Sequence, residues 1–187
     1  MLALIFSPLL AFAAPLDGVW RQDCAHGYSR EEAFSGERAT YTERNFWDAD
    51  CARASVETIS RGDVRLGGTV VAPDGARAID FVFRSVSLRA LDARAAELWN
   101  ARGVCGFRDW RAGQEKDVSG RECDFFGLGS VVRVPAAGTR KFGVVKTGRG
   151  VLFFGRLAPG HDGSSPDTRP VELDPAPYRA FFVRKPN

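Results

Sequence analysis

Histidine is the usual base near neutral pH and the commonest metal ligand, and this chain of 187 residues has two, His26 and His161. His161-Asp162 with Ser164 or Ser165 holds the residue types of a hydrolase triad. Neighbours in one loop cannot form a triad, because nucleophile, base and orienting acid each need a separate rigid position. His26, followed by Gly27, reads as a turn residue. Asp48 with Asp50, and Asp162 with Asp167, could offer oxygens to Ca²⁺, but neither pair fits the twelve-residue binding loop, so both read as solvated turns. Glu31, Glu32 and Glu43 suggest the paired carboxylates of glycoside hydrolysis. Adjacent strand residues point to opposite faces, so Glu31 and Glu32 cannot both line one pocket, and outward charge on edge strands is the better account. The chain therefore reads as non-enzymatic, with no metal and no cofactor.

The cysteines carry the remaining chemistry. Cys24, Cys51, Cys105 and Cys123 contain no C-x-x-C pair of the kind found in zinc and redox sites. An even count in an exported chain reads as disulfides, and Cys24–Cys51 with Cys105–Cys123 is the favoured pairing because each bridge then staples a local excursion. Closing loops of this size stabilises a domain by about 3 kcal/mol each in the chain-entropy model. Export itself is read from MLALIFSPLLAFAA at the N-terminus, an uncharged apolar run ending in Ala11-Phe12-Ala13. It is too short to span a bilayer, so residues 1–13 are expected to be a signal peptide, 14–187 a single domain, and the location periplasmic or secreted, with no transmembrane segment.

The elements that would position any site are mostly strands. Candidates fall at 17–23, 28–34, 38–46, 55–61, 64–71, 78–88, 107–111, 130–134, 140–146, 151–156 and 178–184. Ser35-Gly36-Glu37, Arg61-Gly62-Asp63, Pro73-Asp74-Gly75 and Gly148-Arg149-Gly150 supply turn chemistry between them, which predicts mostly antiparallel pairing. One segment has a helical period: Asp92 as N-cap, Ala93 to Arg102 as helix and Gly103 as stop, with Trp99 as the packing anchor. Residues 158–177 hold five Pro and form a long loop, expected to cross one end of the barrel. The fold class is all-β, a barrel or sandwich with one short helix near 92–102.

Composition narrows the partners. The 26 basic and 23 acidic residues leave a net charge of +3, too small and dispersed for a dedicated polyanion binder, so nucleic acid is set aside. Hydrophobic residues at 44% and charged residues at 26% exclude low-complexity disorder and coiled coil.

Gly18-Val19-Trp20, opening the first strand, resembles the Gly-x-Trp signature of lipocalins. The resemblance implies a lipocalin-like β-barrel with a ligand cavity, Trp20 closing one end in a structural role and an Arg from near the C-terminus, Arg179 or Arg184, stacking on it. Lipocalins place their helix after the eighth strand, whereas the helix here lies mid-chain. The segments Cys105-Gly106-Phe107-Arg108-Asp109-Trp110, Lys116 to Arg121 and Thr168-Arg169-Pro170 are also similar to small exported bacterial proteins of unassigned function, which implies no activity.

Two functions follow. One is a binding protein for a small apolar or amphipathic ligand, with Ile79, Phe81 and Phe83 on a common inward face and Trp110 and Phe142 as further contacts. The other is an envelope structural or interaction protein with a filled barrel, binding an envelope protein or polymer. The interior distinguishes them: a cavity of roughly 300 Å³ or more favours the first.

Overall fold

The computed structural model describes residues 16–125, 129 and 131–181. The leader at 1–13 and Arg184 lie outside the described residues. Five strands run as a meander: β1 (Gly18–Ala25), β2 (Tyr28–Ser35), β3 (Arg38–Phe46), β4 (Ala54–Thr69) and β5 (Arg77–Ala90). A helical excursion follows, with α1 (Ala93–Arg102), a 3-10 turn at Val104–Gly106, and the short strands β6 (Glu115–Asp117), β7 (Glu122–Cys123) and β8 (Val132–Arg133). The chain then returns through β9 (Arg140–Gly148), β10 (Val151–Phe154) and β11 (Tyr178–Phe181).

Pairing runs β1-β2-β3-β4-β5-β9-β10-β11 and back to β1, all antiparallel, so eight strands close a barrel and leave no edge among them. β5 is long because it serves two partners. Its residues 77–82 pair with β9, and its residues 87–89 pair with β6. The hand-over falls at Phe83, whose backbone N–H and C=O bond Thr139 and Gly138.

Two hydrophobic clusters lie toward the two ends. At the β2–β3 turn end, Leu16, Phe34, Val64, Ile79, Leu152 and Tyr178 pack together, with Trp20 against them. At the other end, Val86, Leu88 and Ala90 of β5 pack against Trp99 of α1 and against Trp110 and Val118. α1 forms where its caps dictate: the Asp92 carboxylate accepts from the Ala95 N–H, and Gly103 adopts the left-handed stop conformation. The same carboxylate accepts from Trp47 Nε1 at 2.7 Å, tying the helix start to the end of β3. The disulfides pair as Cys24–Cys51 and Cys105–Cys123, the second anchoring the turn after α1 to β7.

Three local expectations differ. Arg61-Gly62-Asp63 is no turn, and 55–61 with 64–71 is one continuous strand, β4, with a register shift between Arg61 and Gly62. Glycine is required there because a Cβ would overlap the Phe81 ring and the Val82 carbonyl, so the residue marks a close approach in a bent strand. Residues 107–111 form no strand either. Cys105 and Gly106 hold positive φ values of 53° and 80°, which turns the chain out of extension after α1. The 158–177 loop runs over the outer wall near β5 and β9, where Arg169 Nη1 donates to the carbonyls of Ile79 (3.3 Å) and Gly143 (2.7 Å) and its guanidinium pairs with Asp80.

Candidate functional site

Between the two end clusters the barrel is hollow, with a cavity of about 530 Å³. Strand parity decides which side chains reach it. Directly paired antiparallel residues share a face, so the pairs Ile79–Leu66, Phe81–Val64 and Phe83–Gly62 put one row of β5 inside. Phe81 and Phe83 meet edge to face with centroids 4.8 Å apart, and together with Phe34 and Phe154 they make one wall apolar.

The opposite wall is polar. Along β2, Phe34 faces inward, so Glu32 and Arg30 must do so too; the register pairs Glu32 with Trp20 on β1 and Tyr41 on β3. Arg30 Nε donates to Glu43 Oε2 at 2.9 Å, and the Tyr41 hydroxyl donates to the same oxygen at 2.7 Å. That trio satisfies itself. Burial, then the Glu43 charge, pushes the Tyr41 hydroxyl above its ordinary value. Glu32 is different: its carboxyl borders the cavity and has no hydrogen-bond or ion-pair partner among the described residues. Burial alone pushes it from 4.5 up to about 8. Burial raises the Tyr178 hydroxyl as well, with the Glu32 charge as the next cause, which places the two groups close together. Gln22 pairs with Arg30 in register, one step along the same inner row; its Nε2 donates to the Ala176 carbonyl at 3.1 Å, while its buried Oε1 receives no hydrogen bond. Lys141, paired with Phe81, enters from β9. β2 and β9 stand four strands apart in an eight-stranded ring, so Glu32 and Lys141 occupy opposite walls.

The residues expected at a ligand site divide. Ile79, Phe81 and Phe83 line the cavity from one face of β5. Phe142 borders it, but its register partner is Asp80, which puts it on the other face of β9 from Lys141 and Gly143, against the 158–177 loop and with the Arg169 guanidinium 5.2 Å from its ring centre. Trp110 does not line the cavity. It is 2% exposed, its ring lies 4.7 Å from that of Trp99, and its Nε1 donates to the Val104 carbonyl at 3.3 Å. Without a strand at 107–111, alternation has no hold on its direction. Trp20 packs on the lower cluster and donates from Nε1 to the Leu16 carbonyl at 2.7 Å. Arg179 cannot cover it, since Arg179 pairs with Arg21 while Trp20 pairs with Ala180, and neighbouring register positions face opposite ways.

Sequence reasoning weighed Glu31, Glu32 and Glu43 and read them as outward charge on edge strands; in the closed barrel β2 and β3 are not edges, and Glu32 and Glu43 face inward. The signal was available in Tyr28 to Ser35: once Phe34 is placed in the core, period-two alternation sends Glu32 inward and Glu31 outward. Glu31 does face out, paired with Arg21 at 2.6 Å. On the outer face Glu57 is also buried, at 2% exposure, gripped by Arg44 and Arg89. His161 Nδ1 lies 2.9 Å from the Arg169 carbonyl, and Asp162 accepts from the Ser164 backbone and hydroxyl, which holds its carboxyl down at about 2. These contacts describe a capped turn.

No protein-family model matches the chain, and no curated protein matches it. Among the described residues no helix is long and apolar enough to cross a membrane.

Proposed function

We propose that this protein is an exported, non-enzymatic carrier that holds a small apolar or amphipathic molecule inside its barrel. The observation that carries the reading is the cavity of about 530 Å³ in the barrel, opening toward the exposed Val132 and Leu157, within the range of small-molecule sites and lined mainly by aromatic and aliphatic side chains. The alternative of an envelope interaction protein needs a filled interior. An eight-stranded barrel has an interior of the right width for one small ligand, as in lipocalins, and the Gly18-Val19-Trp20 resemblance is of the same kind. Removing about 200 Å² of ligand apolar surface from water gains about 5 kcal/mol before the cost of association. Export belongs to this reading through the apolar N-terminal run and the two disulfides, which suit an oxidising compartment.

Native mass spectrometry of protein purified from its own host tests it. The expected result is a mass excess that is lost on denaturation, and Thr58→Phe, which projects a ring into the cavity, should remove the excess while leaving the fold intact. A mass equal to the bridged chain, together with no uptake of an added apolar dye, overturns the carrier reading.

A further inference from the structure

We infer that the polar end of the cavity recognises a primary ammonium group, so that the molecule carried is a cationic amphiphile whose head sits at Glu32 and whose tail lies along Phe81 and Phe83. The inference rests on the carrier reading and adds the ligand's chemistry.

The argument begins with the balance of donors and acceptors on the inner face of β1, β2 and β3. Arg30 is the cation of that wall, and Glu43 already occupies it at 2.9 Å, with the Tyr41 hydroxyl donating to the same carboxylate. What remains over at the cavity is an acceptor, the Glu32 carboxyl, which has no hydrogen-bond or ion-pair partner among the described residues. A desolvated carboxyl without a partner is costly, and an ordinary barrel would place an apolar residue there. An alkylammonium brings N–H donors and a positive charge, which answers the missing partner and the missing countercharge of Glu32.

The surroundings select a cation independently of hydrogen bonding. Glu32 stands directly between Trp20 and Tyr41 in register, with the Tyr178 and Phe34 rings also at the lower cluster and bordering the cavity or its floor. Rings around an anionic site favour an ammonium through their negative faces. The charge layout points the same way. Lys141 borders the cavity from the far wall, but its stem lies beside Gly163 and its charge acts on Asp162, so the charge left to meet a ligand head is that of Glu32, which attracts a cation.

Proton linkage follows. The groups facing Glu32 from neighbouring strands are Tyr41 on β3, Tyr178 on β11 and the Arg30–Glu43 pair, with Lys141 across the cavity; β1 contributes Trp20 and Gln22, which do not titrate. With its carboxyl raised to about 8 in the free protein, Glu32 must lose a proton before it can pair with a cation. An alkylamine with a value near that of lysine, about 10.4, stays charged throughout.

The test compares octylammonium, octanol and octanoate by titration calorimetry on the whole protein at pH 6 and pH 9, with wild type and Glu32→Gln. Octylammonium should bind about 100-fold more tightly at pH 9 than at pH 6, because a group with a value near 8 is about 99% protonated at pH 6. It should exceed octanol at pH 9 by at least about tenfold, consistent with one charge-assisted pair. Glu32→Gln should lose both the preference and the pH dependence while still binding octanol. Octanol binding with no preference for the ammonium, a preference for octanoate, or a preference that survives Glu32→Gln each overturns the ammonium inference and leaves the carrier reading standing. If none of the three binds, the carrier reading fails and takes this inference with it.

Discussion

Replacing Glu32 by Gln should stabilise the protein above pH 5, and the gain should grow with pH. In the unfolded chain this carboxyl ionises near 4.5, whereas in the folded barrel burial holds its value at about 8. Below pH 4.5 both states carry the proton and the residue contributes no pH dependence. Between 4.5 and 8 the unfolded state has lost the proton and the folded state keeps it, so the folded state binds more protons and stability falls as pH rises. Each pH unit in that window is worth about 1.4 kcal/mol, which gives about 3 kcal/mol at pH 7 and about 5 kcal/mol by pH 9. Glutamine has nearly the same shape and no proton to lose, so the difference between variant and wild type isolates this one group from every other titration in the chain. Urea unfolding with the disulfides intact, followed by circular dichroism at pH 4, 7 and 9, measures it. The two proteins should be nearly equally stable at pH 4 and should diverge above it. A difference that stays constant across the three pH values would show that Glu32 titrates normally, by reaching water or a partner, and would refute the account of a desolvated, cavity-facing carboxyl.

Two further substitutions test the frame around the cavity. Trp20→Ala should cost about 3 kcal/mol, the lower end for large aromatic truncations because the side chain is half-buried, and any loss of ligand should follow from lost stability; unchanged unfolding with lost binding would move Trp20 into the site. Gly62→Ala should cost more than about 2 kcal/mol, since the new methyl meets the Phe81 ring and the Val82 backbone, and a melting temperature equal to wild type would contradict the close approach described for β4.

What could be read from the sequence was what local chemistry decides. Asp92 and Gly103 bound α1 because capping is an interaction within one turn, and the disulfide pairing followed from short separations. The barrel's antiparallel character was legible because most hairpins carry their turn residues with them. Gly62 was not, since Arg-Gly-Asp has the composition of a turn whether or not a ring from another strand occupies the space beside it. Trp110 was misplaced for a related reason: Phe107 to Arg111 alternates like a strand, but Gly103 to Gly106 and the bridge to Cys123 have already redirected the chain.

The hollow interior and its polar end lie a step further from local pattern. Fourteen Phe could fill a small barrel, yet Phe107 and Phe125 pack against the far cluster and the Phe181 ring lies on the outside beneath Arg21. Residue counts cannot divide a set between core, rim and cavity, because that division depends on how the strands stagger around the closed ring. Glu32 was within reach of alternation alone. The reasoning that separates Glu31 from Glu32 already requires one of them to face inward on a strand of a closed barrel, and the packing of Phe34 two residues away says which. A glutamate in that position would ordinarily count against the strand assignment. Its presence in an otherwise self-consistent barrel is the kind of local conflict that marks function, and under the proposal made above a bound cation would return the stability it removes.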